Sequence, residues 1–214
     1  MPCHSFSICY YLVLLVACLV ALTHAQGVSD TGKEDGNAIY DAAKTFSPGN
    51  YVFKSATSKQ YLSFISEGNL VTPKSSHHPR VWEIREHKKD DKLTKYWSAR
   101  GQNKAGNEKC ISTRWTVGDG NGGYPDAAVL WQCETDTKKH DTGGYDPIVT
   151  EKQLWVAVPD PKHKDYFKII SASHLFDMTP TCIDTKTISG GTKLTKCKVD
   201  TDKKSLLWKI TKVD

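Results

Sequence analysis

The sequence predicts an all-β domain made of three repeated units closed into a barrel. Three observations predict it. An apolar-Trp pair closes three similar segments, Val81-Trp82, Leu154-Trp155 and Leu207-Trp208. Between residues 51 and 213 the apolar residues fall in short aromatic and β-branched runs, several alternating with period two, separated by turn residues. No long amphipathic helical stretch accompanies them, so the many short strands point to a sandwich or barrel.

Taken in order, residues 1–25 read as a secretory signal peptide. Tyr10 to Leu22 is an unbroken apolar run without Asp, Glu, Lys or Arg, and it ends at Thr23-His24-Ala25, a small-x-small cleavage pattern. The run is shorter than the about 20 apolar residues a spanning helix needs. Its n-region carries only the α-amino group and His4, so an uncleaved leader is the alternative reading. No second apolar run of spanning length follows, so membrane insertion is not expected. Residues 26–48 are polar and Gly-rich and read as a flexible segment, with one mildly apolar stretch, Ala38 to Phe46, able to form a helical turn.

The domain proper spans 49–214, with repeats at about 51–93, 94–160 and 163–213. Each unit opens on an aromatic strand: Tyr51-Val52-Phe53, Tyr96-Trp97 and Tyr166-Phe167. Each then reaches a strand with an aliphatic centre: Tyr61-Leu62-Ser63, Cys110-Ile111-Ser112 and Cys182-Ile183-Asp184. Each closes on the Trp strand. One such unit cannot bury its own apolar face, whereas three around an axis can. Trp82, Trp155 and Trp208 are therefore assigned to the core. The second unit is the longest and carries two Gly- and Pro-containing loops, 116–128 and 134–150. Loops of this kind either carry function on a rigid scaffold or are tolerated insertions.

Charge and chemistry narrow the function classes. The net charge is +5, and lysines are interleaved with acids, as in Lys88-Lys89-Asp90-Asp91-Lys92, which reads as a solvated loop. No nucleic-acid surface is expected from so modest an excess. Of seven cysteines, Cys3, Cys9 and Cys18 lie in the leader. Cys110, Cys133, Cys182 and Cys197 remain, an even number in an exported chain, which implies disulfides without choosing among three pairings. There is no Cys-x-x-Cys, and His77-His78 has no further ligands at metal spacing, so neither metal nor cofactor is expected. Nucleophile-elbow, His-Glu-x-x-His and phosphate-loop motifs are missing, and no catalytic role is assigned.

The second and third units carry a longer pattern. It reads Cys110-Ile111-Ser112-Thr113, Val129-Leu130-Trp131-Gln132-Cys133 and Gln153-Leu154-Trp155, then Cys182-Ile183-Asp184-Thr185, Lys193-Leu194-Thr195-Lys196-Cys197 and Leu206-Leu207-Trp208. This resembles the ricin B-type lectin repeat, and the resemblance covers Tyr51 to Val213. It implies a β-trefoil. It also implies that the two cysteines of a repeat pair with each other, as Cys110–Cys133 and Cys182–Cys197.

The resemblance further implies a sugar site in each repeat. Its parts are an Asp after the Cys-apolar pair, an aromatic ring two residues before the second Cys, and an Asn or similar group before Gln-x-Trp. A carboxylate accepts strong hydrogen bonds from hydroxyls, and a flat ring matches the C–H face of a pyranose. No repeat here is complete. The third has Asp184 but Thr195 at the ring position and Ser205 at the Asn position; the second has Trp131, with Ser112, Lys152 and Gln153 around it; the first has Ser63, and His78 or Pro79. Three roles stay open for Asp184: sugar ligand, turn residue whose carboxylate satisfies backbone N–H groups, or simply a solvated side chain. Trp131 is likewise either a stacking platform or packing beside a disulfide. The expected function is a secreted carbohydrate-binding module with degenerate sites, its partners glycans or glycoconjugates. The alternative is a protein-binding module, a protease inhibitor or an effector of a host or extracellular protein, that has lost sugar binding.

Overall fold

The computed structural model describes residues 34–64, 71–74, 79–89, 92–102, 106–113, 127–133, 152–173, 175, 180–188 and 191–213. The leader, the loop 134–150, all of loop 116–128 except Ala127 and Ala128, and the His77-His78 pair lie outside them. Twelve strands run through the described residues, four to a repeat. The first repeat holds β1 (Gly49–Ser55), β2 (Tyr61–Phe64), β3 (Val71–Lys74) and β4 (Trp82–Lys89). The second holds β5 (Lys92–Gln102), β6 (Glu108–Thr113), β7 (Ala128–Gln132) and β8 (Trp155–Pro159). The third holds β9 (Tyr166–Ser171), β10 (Thr181–Ile188), β11 (Gly191–Lys196) and β12 (Leu207–Val213).

The outer strands of each repeat build the barrel. β1 pairs with β4, β4 with β5, β5 with β8, β8 with β9, β9 with β12 and β12 with β1, all antiparallel. The ring closes, so no barrel edge is left unpaired. The inner strands pair as the hairpins β2–β3, β6–β7 and β10–β11. A six-stranded barrel with three hairpins is the β-trefoil that the repeat implies. In the charged run read as a solvated loop, Lys88 and Lys89 end β4 and Lys92 opens β5 opposite Lys89, while Asp90 and Asp91 lie outside the described residues.

The Trp repeat has a repeated physical cause. Each closing Trp stands opposite the aromatic residue that opens its own repeat: Trp82 opposite Tyr51, Trp155 opposite Trp97, Trp208 opposite Phe167. All three indoles are fully buried. Each Nε1 donates to the carbonyl of the aliphatic residue centred on the repeat's second strand, to Leu62 at 3.0 Å, Ile111 at 3.0 Å and Ile183 at 2.9 Å. The bond satisfies an indole N–H that burial takes away from water. On the neighbouring repeat each Trp meets a small residue: Ser55 opposite Trp208, Ser171 opposite Trp155, and Gly101 beside Trp82. A Cβ on Gly101 would lie 3.1 Å from the Phe64 ring and 3.2 Å from Trp82, so only glycine fits there without a shift.

Both implied disulfides are present, Cys110–Cys133 and Cys182–Cys197, closing separations of 23 and 15 residues. Each ties the start of an inner hairpin to its end. The first repeat has no cysteine and its hairpin goes without.

The segment ahead of the barrel packs more than its composition suggests. Residues 34–42 form a helix, α1, longer than the single turn expected. Ile39 is fully buried and Ala43 nearly so, in a cluster with Val156, Val158, Ile170 and the Cys182 and Cys197 side chains. Tyr40 packs on Tyr96 with ring centroids 5.1 Å apart. The Lys44 amide then donates to the Ala157 carbonyl at 2.9 Å. Phe46 follows, edge-on to Tyr51 at 5.8 Å, Trp97 at 6.2 Å and Phe167 at 5.4 Å. Those three rings open the three repeats, so Phe46 sits close to the pseudo-three-fold axis and plugs one end of the barrel.

Candidate functional site

The shared Trp-to-carbonyl bond and the hairpin registers set the three repeats in correspondence. Leu62, Ile111 and Ile183 are equivalent, so Ser63, Ser112 and Asp184 share one position. The hairpins place Lys74 opposite Tyr61, Trp131 opposite Cys110 and Thr195 opposite Cys182. The ring position is therefore Lys74 in the first repeat, Trp131 in the second and Thr195 in the third. Counting back from the closing Trp, the Gln position is Arg80, Gln153 and Leu206.

In the third repeat this position is closed from within. Asp184 has no exposed surface. Its Oδ1 accepts the Lys186 amide at 3.0 Å, and its Oδ2 accepts the Thr195 hydroxyl at 2.8 Å and the Lys203 ammonium at 3.1 Å. Burial pushes the Asp184 carboxyl up. The Lys186 amide, the neighbouring Ser205 and Thr195 hydroxyls and the Lys203 ammonium more than offset this, and hold it below the ordinary value of 3.8. Ser205 itself is half-buried, and its hydroxyl makes no hydrogen bond of good geometry among the described residues. Thr195 thus spends its hydroxyl on Asp184 where the motif would place a ring.

The second repeat is arranged the other way. Trp131 is 52% exposed on β7, directly opposite Cys110 of the Cys110–Cys133 bridge. Ser112 is buried and its hydroxyl donates to the Thr113 carbonyl at 3.0 Å. Gln153 is buried and its amide donates to the Gln132 carbonyl at 2.6 Å. Ser112 and Gln153 therefore turn their polar groups onto backbone, and Trp131 alone of the three turns outward.

The first repeat holds what the motif pattern did not reveal. A cleft of about 710 Å³ runs along it to the second repeat and includes Tyr61, Ser63, Lys74, Arg80, Arg100 and Glu108 in its lining. The Arg80 guanidinium lies 3.9 Å over the Phe64 ring, and its Nη2 donates to the Gln102 carbonyl at 3.0 Å. The cleft carboxylates are engaged by arginines. Glu108 Oε2 accepts from the buried Arg100 at 2.9 Å and its Oε1 from Arg85 at 2.9 Å, while Glu83 accepts from Arg85 at 2.6 Å. One row of directly opposed residues, Asn50, Glu83, Arg100, Cys110 and Trp131, crosses five strands. Opposed residues share a face. The cleft and Trp131 therefore lie on one face, with Arg100 and Trp131 two strand spacings, or about 10 Å, apart.

No family model and no curated protein matches the sequence. Solved structures match the fold. A salivary protein from Culex quiquefasciatus of the Cysteine and Tryptophan-Rich family is 17% identical, with 80% of this chain and 98% of that chain covered and a TM-score of 0.47. SeviL, solved bound to asialo-GM1 saccharide, is 10% identical, with 78% and 100% covered and a TM-score of 0.48. A mosquitocidal holotoxin is 15% identical over 79% of this chain and 18% of its own, with a TM-score of 0.52. At its identity and TM-score the holotoxin likeness speaks to fold alone. The chain has the β-trefoil fold, and it resembles the ricin B-type lectins in that fold as in its motifs.

Proposed function

We propose that the protein is a secreted carbohydrate-binding module rather than an enzyme, with its binding face on the first and second repeats. The apolar leader and the two disulfides support export. One observation carries the binding reading: Trp131 stands 52% exposed at the ring position of a disulfide-held strand. A large ring left in water on a rigid element is poised to be covered by a ligand, and its flat face suits the C–H face of a sugar. The test is a glycan array with the purified mature protein and its Trp131→Ala variant. Binding is expected to fall at least about tenfold in the variant with no loss of melting temperature, because the residue is outside the core.

The closed third repeat favours the second reading, a protein-binding module that has lost sugar binding. Asp184, with its carboxylate spent on Lys186, Thr195 and Lys203, has little left to offer a hydroxyl. A blank array from well-folded protein would move the weight to that reading, and protease-inhibition assays would follow.

A further inference from the structure

The two readings above rest on positions that the motif names. The first repeat departs from the motif in a consistent direction. Where the pattern calls for a carboxylate it has the neutral Ser63; where the other repeats have Trp131 and Thr195 it has Lys74; where the second repeat has Gln153 it has Arg80. The position has lost its negative charge and gained two positive ones. Both cations line the same cleft, and both residues are exposed. Among the described residues no carboxylate pairs with either of them, while Glu83 and Glu108 in the same cleft are held by Arg85 and Arg100. The Arg80 guanidinium lies over the Phe64 ring, and the Gln102 carbonyl holds one of its nitrogens. A guanidinium so oriented suits two-pronged recognition of a carboxylate or sulfate. Tyr61 and Ser63 beside Lys74 add a ring and a hydroxyl for the rest of a sugar.

We infer that this cleft binds an acidic saccharide, its carboxylate or sulfate held between Arg80 and Lys74. The inference rests on the proposed glycan-binding function and names its ligand class at a second position on the same face.

The test is an array of matched neutral, sialylated and sulfated saccharides, read at low and high salt with the mature protein, Arg80→Gln, Lys74→Thr and Trp131→Ala. The expected result is retention of sialylated or sulfated members, weakened by salt and about tenfold weaker in both Arg80→Gln and Lys74→Thr. The sialylated and sulfated arms tell carboxylate from sulfate. Lys74 is exposed, so its variant reads binding even where Arg80→Gln disturbs the packing on Phe64. Binding of neutral sugars alone, lost in Trp131→Ala and kept in the other two, overturns the inference and leaves the proposed function standing. Acidic-saccharide binding unchanged in both cation variants overturns it as well, and a blank array overturns both.

Discussion

At the scale of single residues, two buried aspartates carry much of the polar organisation. Asp160 Oδ1 accepts the Lys162 and His163 amides at 3.0 and 2.9 Å and meets His163 Nδ1 at 2.8 Å. Burial pushes its carboxyl up, and His163, these amides and Lys168 bring it below 3.8. Asp184 is lowered in the same way. A carboxylate whose folded pKa is depressed contributes stability that is present above its unfolded value. That contribution is lost as pH falls through the folded value. Stability is therefore expected to decline as pH drops below 3.8. Asp184→Asn is expected to be less stable than the parent near pH 7, with a smaller gap at pH 3, where the unfolded carboxyl is already largely protonated. Urea melts of both proteins at the two pH values check this, and a gap that stays constant would contradict it. Asp184 itself was legible in the sequence, but its occupation was not. Thr195 and Lys203 lie 11 and 19 residues away, and they reach the carboxylate only through the β10–β11 hairpin and the turn before β12. Lys74 was hidden for a related reason. Without cysteines in the first repeat there is nothing to count from, and its place appears only in the register opposite Tyr61.

At the scale of elements, the piece ahead of the barrel does more than its composition suggests. α1 lays Ile39 over β8 and β9, and Phe46 fills the barrel end among Tyr51, Trp97 and Phe167. The Asp35–Lys198 ion pair joins α1 to the third repeat at 2.8 Å, but Lys198 is exposed and such a pair contributes little. The energy lies in the rings. Phe46→Ala would open a hole facing three aromatics and is expected to cost about 3 kcal/mol or more. Asp35→Ala should fall within about 0.5 kcal/mol of the parent. Denaturant titration of the two variants separates the effects; equal small shifts would show that the plug adds nothing. The sequence marks Ala38 to Phe46 as mildly apolar and no more. The reason is that each partner of Phe46 comes from a different repeat, and no local period links them. The inner hairpins were easier to read. Cysteines bracket the second and third of them, and the alternation of Leu62, Ile111 and Ile183 inward with Ser63, Ser112 and Asp184 on the other face is a local pattern.

At the scale of the whole molecule, the barrel was legible because its cause recurs. A closing Trp needs a facing aromatic, a small neighbour and a carbonyl for its N–H, so each repeat pays for the same residue types at the same steps. The three Trp-to-carbonyl bonds, to Leu62, Ile111 and Ile183, make a direct test of that equivalence. Trp82→Phe, Trp155→Phe and Trp208→Phe would each strand one buried carbonyl and leave a similar void. Each is expected to destabilise by about 2–4 kcal/mol, roughly 1–3 of it from the unsatisfied carbonyl. Trp97 provides the contrast. It is equally deep, stacked on Phe53 at 6.1 Å, but its Nε1 has no hydrogen-bond partner among the described residues. Trp97→Phe would strand no acceptor, and its cost should be smaller than that of the other three. Because the six barrel strands close on one another, loss in any repeat strains both neighbours, so all four variants should still melt in a single transition. Calorimetry of the series reads both points. Three unequal costs for the closing Trp residues, or a cost at Trp97 matching theirs, would mean that packing alone holds the repeats and that the shared hydrogen bond is incidental.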